Sequence, residues 1–141
     1  LTAVEPNHPR ELKMRIVKAL LKYLLAVFFV FAGANHFRNP DFYLAIMPPY
    51  LPWHVNLVYL SGIFEMLFGL MLMIPKLTHV AAWGLILLLI AIFPANIYMA
   101  QHAELFPWTT QRALLIRLPL QLVLLVWAYW FTRRDRTEPS S

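Results

Sequence analysis

The chain has no cysteine. That excludes disulfide chemistry, thiol catalysis and thiolate metal sites. Any redox role would then need a bound electron carrier, since none can be built from the side chains. Charge is also scarce: Asp, Glu, Lys and Arg make up 13% of 141 residues, against about 25% in soluble domains. A further 60% of the residues are hydrophobic, more than one soluble domain of this length can hide, whereas a bilayer accepts such a surface. No segment alternates with period two, which argues against a β-barrel. No nucleophile–base pair and no phosphate-binding loop is visible.

What is present is a set of four hydrophobic runs, each close to the roughly 20 residues that a spanning helix needs. They predict an all-α integral membrane protein, a four-helix bundle with spans over about 16–36, 57–75, 80–100 and 113–132. Residues 1–15 read as a polar tail and 133–141 as a basic one. Arg10, Lys13, Arg15, Lys18, Lys22, Lys76, Arg133, Arg134 and Arg136 fall on one side, nine of the twelve Lys and Arg residues. The positive-inside rule makes that side cytoplasmic, with both termini inside a plasma or inner membrane. These charges read as lipid-headgroup anchors and not as a nucleic-acid face. A rival reading takes the first run as a signal peptide with Ala32-Gly33-Ala34 as its cleavage site.

The first outer loop has its own helix signal. Asn39-Pro40-Asp41 gives an N-cap, a proline at the first helical position and an acid in the first turn. Phe42, Tyr43, Ile46 and Met47 follow at helical spacing, and Pro48-Pro49 ends the run. A short interfacial helix over residues 40–47 is expected, either a cap on the bundle or a simple anchor. A faint internal repeat is also visible. Ala34-Asn35-His36 answers Ala95-Asn96-Ile97, Pro52-Trp53 answers Pro107-Trp108, and Glu65 answers Gln121. Both halves run in–out–in, as in a parallel repeat about the membrane normal.

Two ionisable residues fall inside the spans, where a charge costs about 2.5–3.5 kcal/mol. Glu65 lies about 13 Å below Asn56 and Arg117 about 8 Å below Arg112, at 1.5 Å per residue. Both lean outward along their helices, so the two are expected to pair if those helices face each other. Ser61 and Gly69 flank Glu65 at one-turn spacing, and Gln121 lies one turn below Arg117. Asn35, His36 and Asn96 add polar groups at the outer ends of the first and third spans. Pro94 and Pro119 free the carbonyls of Ile90 and Leu115. A polar centre thus forms in the outer half of the bundle, as a ligand site or as interhelical glue. His36, His54, His102 and Glu104 share the outer face, but without ligand spacing that assigns a metal.

Several motifs taken in order resemble the DoxX-like membrane proteins. They are Gly33-Ala-Asn-His-Phe37, Pro40, Met47-Pro-Pro-Tyr-Leu-Pro52, Ser61-Gly-Ile-Phe-Glu65 with Gly69, Pro94-Ala-Asn96 and Arg117-Leu-Pro-Leu-Gln121. The resemblance covers about residues 20–130 and implies a four-helix membrane bundle. It also implies a shared polar centre of His36, Glu65, Asn96, Arg117 and Gln121. The family's namesake is a small subunit linked to thiosulfate oxidation with quinone as acceptor. Other members look like redox-enzyme partners, channel-assembly chaperones or helpers of disulfide formation, and the last role does not suit a chain without cysteine. The expectation is an accessory protein, not catalytic on its own, with no built-in cofactor. Its polar centre would bind a quinone or lipid, and its partners would be the bilayer, a redox or membrane protein, or a second copy. The alternatives are a quinone-linked oxidoreductase subunit and a scaffold whose polar network is structural.

Overall fold

Apolar length sets the elements, and the loops are left little to do. A computed structural model, which describes residues 8–133, is all-helical among those residues. Its elements are α1 (His8–Arg38), α2 (Pro40–Ala45), α3 (His54–Leu72), α4 (Thr78–Gln101), a 3-10 turn (Ala103–Leu105) and α5 (Gln111–Trp130). Four of these, α1, α3, α4 and α5, are long and apolar enough to cross a membrane. Arg134 and Arg136 of the basic tail lie outside the described residues.

The helix ends follow the local chemistry, with two departures. α1 is already helical from His8, where the sequence reads as a tail, and it continues unbroken through Ala32-Gly33-Ala34. At about 1.5 Å per residue, a helix of 31 residues exceeds the roughly 30 Å hydrocarbon core, so its basic first turns project beyond it. α2 starts at Pro40 as expected, but it stops at Ala45, and Asn39 makes no side-chain cap bond. Thr110 does cap α5, its hydroxyl accepting from the Ala113 amide at 3.1 Å.

Small residues decide which helices touch. A Cβ on Gly33 would lie 2.5 Å from the Gly62 carbonyl oxygen, and one on Gly69 would lie 2.9 Å from that of Ala26. α1 and α3 therefore pack antiparallel with their backbones almost in contact. α4 joins α3 at Gly84, which makes room for the Phe68 ring. α5 lies along α4, where the His79 ring donates from Nδ1 to the Thr132 carbonyl. The resulting order is α1–α3–α4–α5.

Two apolar layers fill the bundle. Leu25, Phe29, Leu72, Leu85, Leu89 and Phe131 pack in the half nearer the termini, here termed the basic end. At the other end Met99, Phe106 and Leu114 pack around Ile46, which follows α2. That contact turns α2 inward, and Phe42 also meets Trp108 with ring centroids 5.2 Å apart. α2 is thus a cap seated on the bundle, and this end is the capped end.

Candidate functional site

The polar layer beneath α2 begins with His36, in the last turns of α1 at the Gly33–Gly62 crossing. Its ring is buried and its Nδ1 lies 2.9 Å from the Val58 carbonyl oxygen. A carbonyl only accepts, so Nδ1 donates. Nε2 faces Oε2 of Glu65 on α3 at 3.2 Å. In the neutral ring that nitrogen carries a lone pair, which would leave Glu65 Oε2 buried without a donor. Glu65 Oε2 receives no hydrogen bond as placed, and a lone pair against a carboxylate oxygen repels, so the contact is favourable only with one proton between the two atoms. The dyad is then either imidazolium with carboxylate or imidazole with carboxylic acid. Its net charge is zero in both forms, which suits a low-dielectric interior.

Tyr43 of α2 covers this dyad. Its ring stacks on His36 with centroids 3.8 Å apart and planes 19° apart. The Asn35 amide donates to the Tyr43 hydroxyl at 2.8 Å. Burial pushes the Tyr43 phenol above its usual value of 10.0, and the Glu65 charge adds to this, while the Asn35 bond and the Arg117 charge oppose it. The phenol thus senses both ionisable residues of the spans. Arg117 is half-buried on α5, with Nη1 3.9 Å from Met99 Sδ. The expected Glu65–Arg117 pair does not form: Glu65 pairs with His36, and among the described residues Arg117 has no carboxylate partner. The reason is geometric, because the glycine crossing holds α1 against α3 more closely than α5 approaches.

One turn below Arg117, a second polar group is closed on itself. Asn96 donates to Gln121 Oε1, and Gln121 Nε2 donates to the Leu89 carbonyl. The carbonyl taken up is that of Leu89, not that of Ile90, which Pro94 was expected to expose. Each hairpin thus carries one polar contact between its helices, His36–Glu65 in α1/α3 and Asn96–Gln121 in α4/α5, but Asn35, which the repeat aligns with Asn96, bonds to Tyr43 instead. Ser61 makes no side-chain hydrogen bond among the described residues and is half-buried. His54 and His102 each turn a ring nitrogen to a backbone carbonyl, of Pro48 and Tyr98. No group of three or more His, Asp or Glu among the described residues could hold a metal.

Sequence reasoning missed Tyr43 and Met99 as members of the site. Tyr43 was legible only as part of an apolar face, and nothing in the spacing says that the loop folds back over His36. Its titration provides a test. Tyr43 keeps its proton above pH 10.0 in the folded chain, while the unfolded chain loses it there. Stability therefore falls as pH rises from 10 through the raised value. Phenolate absorbance should show a late-titrating component in the wild type that Tyr43→Phe removes; identical titration curves would place Tyr43 in solvent.

No curated protein and no solved structure matches the chain. One family model matches residues 25–132, from the first core residue of α1 to the end of the bundle. It does not carry the DoxX name, so that likeness remains a resemblance. The match spans most of the chain, which therefore belongs to the family described as a domain of unknown function, DUF8561.

Proposed function

We propose that this membrane protein is a DoxX-like accessory subunit. In this reading the layer of His36, Tyr43, Glu65 and Arg117 binds the polar head of a lipophilic small molecule, a quinone or a lipid, in support of a membrane or redox complex. The observation that carries the reading is Arg117. It is a cation in a spanning helix, with a thioether as its nearest polar contact and no carboxylate partner among the described residues. A charge in that position costs about 2.5–3.5 kcal/mol, and a bound carbonyl, phosphate or carboxylate would offset that cost. The Tyr43 hydroxyl, which accepts from Asn35, keeps its own O–H to donate to a carbonyl ligand. By the positive-inside rule the basic end faces the cytoplasm and the site lies toward the outer leaflet.

A specific observation supports the scaffold reading for the second group only. Asn96, Gln121 and the Leu89 carbonyl satisfy one another, which is the chemistry of interhelical glue. The site is therefore assigned to the first layer and the structural role to the second.

Native mass spectrometry of protein purified in mild detergent tests the assignment. The wild type should carry a small-molecule adduct, which is lost in both Glu65→Gln and Arg117→Gln while their helical circular dichroism is kept. A wild type free of adduct across several mild detergents, or an adduct indifferent to both changes, would transfer the first layer to the scaffold reading.

A further inference from the structure

Charge does not balance in the capped half of the bundle. Its cations are Arg38, Arg112 and Arg117, and its acids are Asp41, Glu65 and Glu104. The His36–Glu65 dyad shares one proton and is neutral, so Asp41 and Glu104 offset two of the three arginines. Arg38, Asp41, Arg112 and Glu104 are all exposed, whereas Arg117 is half-buried. The charge left over is therefore the one least solvated. Its guanidinium ends against an apolar plug: Nη1 lies 3.9 Å from Sδ of Met99, which packs with Ile46, Phe106 and Leu114. A thioether accepts only weakly, and guanidinium has five N–H donors. On α5, Leu114 and Gln121 on one side of Arg117 are buried, while Ala113 and Leu120 on the other are exposed. Arg117 thus stands at the border between bundle and lipid, open to a ligand from the membrane side. The Tyr43 phenol lies close enough to feel the Arg117 charge.

We infer that the ligand of this layer is a single-chain lipophilic carboxylate, with its head on the Arg117 fork and the Tyr43 hydroxyl and its chain along Leu120 on the lipid side of α5. The inference rests on the reading of the layer as a ligand site and chooses among the heads that reading allows. Guanidinium and phenol both donate, so the head must accept. A quinone carbonyl accepts, but it is neutral and leaves the arginine charge uncompensated in a low-dielectric setting. A carboxylate cancels that charge and matches the guanidinium fork with two parallel bonds. A phosphate monoester, at about −1.5 to −2, would reverse the imbalance. The phosphodiester of a membrane lipid has the right charge, but it sits mid-molecule with a headgroup beyond it. The plug of Ile46, Met99, Phe106 and Leu114 closes that space, since Leu114 lies one turn above Arg117 on α5. A carboxylate ends in its two oxygens and fits below the plug. Its chain needs no enclosed cavity, because Leu120 is 55% exposed toward the bilayer.

The test uses the full-length chain, stripped of copurified lipid in a nonionic detergent at alkaline pH. It is titrated separately with palmitate, palmitamide, a benzoquinone bearing a chain of the same length, and phosphatidylglycerol with palmitoyl chains. Native mass spectrometry reads the bound fraction. Palmitamide keeps the chain and the carbonyl but not the charge, so the wild type should retain palmitate about tenfold better or more, the worth of one charge-assisted contact. Arg117→Gln should bring that ratio close to one, and Tyr43→Phe should lower palmitate retention by about two- to tenfold, both with unchanged helical circular dichroism. Arg112→Gln removes an exposed arginine of the same helix and should leave palmitate binding as it is. Equal retention of palmitate and palmitamide by the wild type would overturn the inference, as would stronger retention of the benzoquinone or of phosphatidylglycerol. If Arg117→Gln still abolished that binding, the ligand site would stand with a different ligand. A palmitate preference that survives Arg117→Gln but falls in Arg112→Gln would overturn the inference as diffuse surface attraction. A wild type that retains none of the four probes and carried no adduct before stripping would remove the site reading together with the inference.

Discussion

Gly33→Ala should destabilise the bundle by about 3 kcal/mol, the upper end of what overpacking usually costs. The new methyl carbon would lie 2.5 Å from the Gly62 carbonyl oxygen, 2.7 Å from Met66 Cγ and 2.9 Å from the Met66 backbone nitrogen. Two of these three neighbours are backbone, which cannot rotate away, so α1 must separate from α3. Alanine is the better helix former by about 1 kcal/mol, and that gain offsets only part of the clash. Gly84→Ala is the matched control. Its methyl would meet three atoms of the Phe68 ring at 2.6–2.8 Å, a side chain that can swing toward lipid, so the cost should be about 1 kcal/mol or less. Unfolding followed by circular dichroism against a denaturing detergent would rank the two. If Gly33→Ala proves as mild as Gly84→Ala, α1 and α3 are not in backbone contact. The same change should also spoil the polar layer, because His36 lies one turn along α1 from Gly33 and reaches Glu65 only across this crossing.

That dependence explains what the sequence could and could not reveal. The four spans are legible because hydrophobic length is a one-dimensional signal: each span needs only enough consecutive apolar residues, and Pro75 and Pro107 stand in the breaks. The membership of the polar layer was also largely legible, since Asn35, His36, Glu65, Asn96, Arg117 and Gln121 stand out against apolar neighbours. Their pairing was not. Depth along the membrane put Glu65 and Arg117 within about one turn of each other, and depth alone favoured an ion pair. Pairing also depends on which helix lies nearest, and that is set by Gly33, Gly62 and Gly69, three residues that carry no polarity signal. The backbone contact they allow brings α1 to Glu65 and leaves Arg117 to Met99. The cap was half legible for a similar reason. Asn39-Pro40-Asp41 marks where α2 starts, but only burial of Ile46 among Met99, Phe106 and Leu114 explains why it folds over His36.

The strongest consequence of the His36–Glu65 dyad is that its two members should respond differently to replacement. His36→Leu leaves a carboxyl group buried at 5% exposure with its donor gone. Breaking a buried pair in this way costs about 3–5 kcal/mol. Glu65→Gln should stay within about 1 kcal/mol of wild type, the usual net worth of one hydrogen bond. The glutamine amide supplies the N–H that the His36 Nε2 lone pair needs, while Nδ1 continues to donate to the Val58 carbonyl, so no shared proton is required. His36→Leu combined with Glu65→Leu removes both polar partners and should recover most of the loss, since apolar replacement of a buried pair is often neutral or better. Detergent unfolding of the three variants gives the comparison. A mild His36→Leu would mean that Glu65 has turned to Arg117, and a Glu65→Gln as damaging as His36→Leu would mean that the bridge is held by charge and not by the position of one proton. The predicted tolerance of Glu65→Gln also makes it the right probe for ligand binding. In a variant that remains folded, a lost adduct reports on the site's chemistry and not on the collapse of the bundle.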